Sequence, residues 1–143
     1  AGLSDSVKVY AIEKNSEAVE LLYENRKKFA LTNLEIIAGT APEALEDLPA
    51  PTHVFIGGSS GKMEEVIALC LKKNPETRFV VNLITPESLA AVLEAAKTLP
   101  VTEPDLVTLT AARSKKVGSS HLMMGQNPVW IVTFEGKICV SRM

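Results

Sequence analysis

The sequence predicts an α/β fold: a mostly parallel sheet whose last strand runs antiparallel. Three observations predict it. Short apolar runs alternate with stretches of helical period along the chain, the pattern of β-α-β units. The first run, Val7-Lys8-Val9-Tyr10-Ala11-Ile12, ends on the acid Glu13 and turns into a helix through Lys14-Asn15. Finally, 46 % of the 143 residues are apolar and charges of both signs are intermixed, an ordinary globular composition that suggests one domain over residues 1–143.

In order, residues 7–12 predict the first strand. Residues 16–30 predict a helix with Ala18, Leu22 and Phe29 on one side and a Glu24–Lys28 pair on its wet face. Residues 34–37 form the next strand. Thr40-Ala41-Pro42-Glu43 reads as a capping box opening a short helix to about Leu48, which Pro49-Ala50-Pro51 ends. Residues 53–56 predict a third strand, followed by the turn Gly57-Gly58-Ser59-Ser60-Gly61. A helix over 62–73 turns Met63, Val66, Ile67 and Cys70 inward. A fourth strand spans 79–84, and a helix with Pro86 at its start runs to Leu99. The fifth strand covers 106–111 and the sixth 129–134. Right-handed crossovers make the first five parallel. Residues 112–127 carry no strong period and read as a long loop, which makes an antiparallel return of the sixth strand the simpler geometry.

Several function classes are excluded or disfavoured. A net charge of −2 does not favour nucleic-acid binding through overall charge. No apolar run reaches the ~20 residues that span a bilayer, and no basic-then-apolar signal segment opens the chain, so a cytoplasmic protein is expected. Cys70 and Cys139 do not suggest a disulfide framework, and no Cys/His spacing suggests a metal site. Gly57 to Lys62 fails the phosphate-loop spacing, because three residues separate Gly57 from Gly61 and Met63 follows Lys62.

Ligands of such sheets sit outside the carboxyl ends of the strands. That rule selects Glu13–Asn15, Gly39–Ala41, Gly57–Gly61 and the loop from 112 to 127. Glu13 either holds a ribose diol with its two carboxylate oxygens or is a surface acid suited to a helix start. Gly39 lets a flat base approach the backbone, while Thr40 caps the following helix. The Gly57 loop is a close approach to a ligand or a plain connection. Arg113, Lys115 and Lys116 concentrate positive charge that suits a polycarboxylate substrate, with Lys116 alone better read as solvated. His121 is a carboxylate partner, a proton shuttle or simply exposed.

Together, Ala11-Ile12-Glu13-Lys14-Asn15, Gly39-Thr40-Ala41-Pro42, Phe55-Ile56-Gly57-Gly58-Ser59 and Asn127-Pro128-Val129 resemble the decarboxylating precorrin methyltransferases of cobalamin synthesis. The likeness is to the separate enzyme or to the C-terminal half of a fused one. It implies a Rossmann-like class I methyltransferase sheet, S-adenosylmethionine as cofactor and a precorrin substrate, without nucleic acid or membrane as partner. It also implies methylation of a meso carbon (position fifteen), loss of carbon dioxide from a ring acetate, and a homo-oligomer, often a tetramer. Carried over, Glu13 and Lys14 face the ribose, Gly39, Thr40 and Ala41 border the adenine, and Gly57 and Gly58 lie near the methionine end. Ser59, Arg113, Lys115 and His121 face the substrate. The first strand and glycine-rich motif of that family have no counterpart in these residues, so they are expected to be N-terminally incomplete and inactive alone. Competing readings are an RNA methyltransferase, a nicotinamide-dependent dehydrogenase and a non-catalytic interaction module.

Overall fold

The structure, a computed structural model, describes residues 6–57 and 61–138. It divides into two compact units, Ala1–Leu48 and Pro49–Met143.

In the first unit, β1 (Val9–Glu13) pairs in parallel with β2 (Leu34–Ala38), Val9 opposite Leu34 and Glu13 opposite Ala38. Helix α1 (Ser16–Lys28) connects them. Its start is set by Asn15, whose side chain accepts the Ala18 N–H at 3.0 Å. Arg26, Lys27 and Lys28 in the last turn suit the negative end of the helix dipole, and Ala30 at φ 48° ends the run. The inward face is Ala18, Val19 and Leu22, all half-buried. Phe29 does not join it: the residue is 62 % exposed and lies at the C-cap, past the last helical position. Lys28 lies 5.6 Å above that ring instead of joining a Glu24 pair.

The helix expected after Thr40 is a single 3-10 turn, Glu43–Leu45. Too few residues lie between Pro42 and Pro49 to offset the entropy of nucleating an α-helix. Nor does Thr40 cap it. Its hydroxyl donates to Glu43 Oε2 at 3.4 Å, and its carbonyl accepts the Ala44 N–H at 2.8 Å.

The second unit holds a four-stranded sheet in the order β3-β4-β8-β5. Its strands are β3 (His53–Ile56), β4 (Arg78–Leu83), β5 (Asp105–Leu109) and β8 (Val129–Glu135). β3 and β4 are parallel, while β8 runs antiparallel between β4 and β5. Helices α2 (Met63–Lys73) and α3 (Pro86–Thr98) cover it. The core is Met63, Val66, Ile67, Cys70 and Leu71 from α2, with Phe79, Val81 and Leu83 from β4, Val92 and Ala95 from α3, and Val132 and Phe134 from β8. Phe79 and Phe134 are rung partners and stack at 5.2 Å. Burying either ring contributes about 1.5–3 kcal/mol. One rung away, Arg78 pairs with Glu135 at 3.0 Å.

Residues 112–127 are not a loop. They form a hairpin, β6 (Ala112–Val117) and β7 (Ser120–Gly125), turning at Gly118 with φ 62°. All its residues are exposed, so it lacks the apolar-in, polar-out alternation that betrays a half-buried strand. Among the described residues, no helix is long and apolar enough to cross a membrane.

Candidate functional site

In the first unit, strand order brings two of the expected turns together. Glu13 ends β1 and Ala38 ends β2 beside it, so Gly39 follows directly. The Gly39 N–H donates to the Glu13 carbonyl at 3.0 Å. The Glu13 carboxylate folds over its own turn, where Oε1 accepts the N–H groups of Lys14 and Asn15, each at 2.8 Å. This holds the acid in one orientation at the carboxyl end of the strand. It also changes the expected two-oxygen grip on a diol: Oε1 is spent on backbone, and Oε2 is the oxygen left to accept from a ligand. A single ribose hydroxyl donating to Oε2 fits that donor set, so these residues suit the nucleoside of S-adenosylmethionine.

Around it, Lys14 and Thr40 are exposed, and Gly39 and Ala41 half-buried. A Cβ on Gly39 would meet the Ala44 Cβ at 3.2 Å, so the glycine serves the tight turn as well as any ligand.

In the second unit, β3 ends at Ile56, opposite Val81, which brings Gly57 abreast of Asn82. A Cβ at Gly57 would meet the Phe55 ring at 3.0 Å. A cleft of about 440 Å³ opens here, lined by Gly57, Asn82, Leu83, Ile84, Thr85, Ser88 and Val129. Gly58 and Ser59 lie outside the described residues. The sequence reading missed Asn82, Thr85 and Ser88. The available signal was an asparagine within the apolar run of a central strand, where its kind is disfavoured.

The hairpin separates residues that the sequence groups. Directly opposed residues of an antiparallel pair share a face. Arg113 opposes Met124 and Lys115 opposes Leu122, so this pair of cations lies on one face. His121 opposes Lys116 on the other face and does not join Arg113 and Lys115. Among the described residues, no group of three His, Cys, Asp or Glu side chains could hold a metal ion.

Comparison with known proteins gives the following. The "Precorrin methyltransferase domain" family matches residues 3–135. A cobalt-precorrin-6B C(15)-methyltransferase (decarboxylating) of Salmonella typhimurium is 32 % identical over 128 residues, covering 89 % of this chain and 66 % of the relative. Across curated relatives, the chain spans about two thirds of their length, 65 % for one and 68 % for another. Among solved structures, a precorrin-6Y C5,15-methyltransferase of Geobacter metallireducens superposes with TM-score 0.79 at 30 % identity, covering 90 % of this chain and 68 % of the other. A precorrin 8W decarboxylase of Methanobacterium thermoautotrophicum gives 0.79 at 29 %, covering 91 % and 70 %. An S-adenosylmethionine-dependent O-methyltransferase of Thermotoga maritima, 18 % identical with TM-score 0.70, covers 94 % and 51 % and shares the Rossmann-like class I fold alone.

Proposed function

This chain belongs to the precorrin methyltransferase family, and we propose that its protein methylates a precorrin from S-adenosylmethionine and decarboxylates a ring acetate. The observation that carries this reading is Glu13: an acid fixed at the carboxyl end of a parallel strand, with one oxygen held by backbone and one left for a sugar hydroxyl. Lys14 flanks that hydroxyl, and Gly39, Thr40 and Ala41 border the base. The bound cofactor supplies an activated methyl group. Gly57 leaves room for a ligand in the second-unit cleft, and in this reading Gly58 serves the methionine end and Ser59 the substrate. Arg113 and Lys115 pair with substrate carboxylates that survive the reaction, and His121, on the opposite hairpin face, acts apart from them. Positioning and charge complementarity carry the catalysis.

The protein self-associates in this reading, as a tetramer, and works in the cytoplasm. Support for association comes from apolar side chains left at the surface of β5 to β7: Leu109, Val117, Leu122 and Met123 are each at least half exposed. Sedimentation velocity tests it, and a concentration-independent monomer rejects it.

The function itself is tested by incubating the whole protein with cobalt-precorrin-6B and S-adenosylmethionine and weighing the product. Gain of one methyl and loss of carbon dioxide supports the reading. An unchanged tetrapyrrole with intact cofactor contradicts it.

A further inference from the structure

We infer that the cleft between Gly57 and α3 receives the substrate carboxylate that departs as carbon dioxide, held by Asn82 and Ser88. This deepens the function proposed above and rests on it. Asn82 lies on the half-buried face of β4, opposite the face of Phe79, Val81 and Leu83, and one residue beyond the last β3 rung. Its neighbour across that gap is Gly57, which has no side chain to cover it. Among the described residues the Asn82 carboxamide has no protein partner, so its N–H groups can donate to a ligand. Thr85 donates its hydroxyl to Ser88 Oγ at 2.8 Å, and Thr85 Oγ1 accepts the Ser88 N–H at 3.2 Å. The Ser88 O–H proton is thereby left to donate into the cleft.

The donors are neutral, and among the described residues no charged side chain lines the cleft. That matters for the chemistry. A carboxylate loses its charge as the carbon–carbon bond breaks, so a paired cation would stabilise the ground state more than the transition state and slow the step. Neutral donors orient the group without that penalty. The bonding pair stays with the conjugated ring as carbon dioxide leaves. The former acetate carbon then takes up a proton and becomes a methyl group. That proton balances the one released from the ring carbon that is methylated, so no external acid is consumed. The cations Arg113 and Lys115, by contrast, suit carboxylates that stay.

The test uses the whole protein with cobalt-precorrin-6B, reading carbon dioxide release at saturating substrate, tetrapyrrole affinity, and affinity for S-adenosylhomocysteine. Asn82→Leu is expected to weaken tetrapyrrole binding about tenfold and leave S-adenosylhomocysteine binding unchanged. Ser88→Arg places a cation at the rim from a half-buried position in the first turn of α3. It is expected to bind tetrapyrrole at least as tightly as the native protein, yet release carbon dioxide about tenfold more slowly. Native release rates in Ser88→Arg overturn the inference, even if Asn82→Leu fails to fold. A native protein that binds no S-adenosylhomocysteine or releases no carbon dioxide refutes the function itself, whatever the variants do.

Discussion

The Gly39 N–H donates to the Glu13 carbonyl at 3.0 Å, so backbone ties the acid that ends β1 to the glycine that follows β2. The same residue uses Oε1 to hold the Lys14 and Asn15 amides. Two backbone amides on Oε1 therefore orient the carboxylate and leave Oε2 outward, which is the preorganisation a sugar-binding acid needs.

The two hairpin faces predict different mutant behaviour. Arg113→Ala and Lys115→Ala should each weaken tetrapyrrole binding about three- to tenfold at low salt, and less as salt rises. His121→Ala, opposite Lys116, should change it little. Titrations of the whole protein at two ionic strengths decide, and equal losses in all three variants would reject the separation of faces.

Gly136 should tolerate no side chain. A Cβ there would drive into the Pro75 carbonyl and stand 2.6 Å from Leu71 Cδ2, while the Gly136 N–H is committed to the Thr77 carbonyl at 2.9 Å. Gly136→Ala is expected to cost about 1–3 kcal/mol, as overpacking does. Denaturant unfolding measures it, and a native midpoint would show that the loop yields freely.

Burial pushes the Cys70 thiol above its ordinary value of 9.0, against a smaller opposite pull from Lys73. The folded state thus holds the proton more tightly than the unfolded one. Its contribution is complete below the thiol's ordinary value and fades as pH rises through the higher folded value. Stability of the native protein should therefore fall above about pH 9 more steeply than that of Cys70→Ala, which starts lower. Parallel stability profiles for the two would exclude the thiol as the cause.

Much of this was legible in the residues themselves. Met63, Val66, Ile67 and Cys70 recur at helical spacing and do turn inward, and His53–Ile56 is a strand with the expected ends. Pro86 after Thr85 marks the start of α3, where the Thr85 side chain accepts from Ser88. The hairpin was hidden because Arg113-Ser114-Lys115-Lys116 is polar on both faces. The place of β8 between β4 and β5 was also hidden: Val132 meets Val81 on one side and Leu106 on the other through long-range pairing that no local pattern encodes. Asn82 escaped notice because a polar residue in an apolar run reads as an interruption until its neighbours in space are known.

The central claim is that Glu13 holds the cofactor ribose, and calorimetry on the whole protein tests it most directly. Titrating S-adenosylhomocysteine into Glu13→Ala should show affinity at least about tenfold weaker than native, since a hydrogen bond to a charged acceptor is lost. Glu13→Gln, which keeps an oxygen for the Lys14 and Asn15 amides, should fall between the two. Native affinity in both variants would contradict the account.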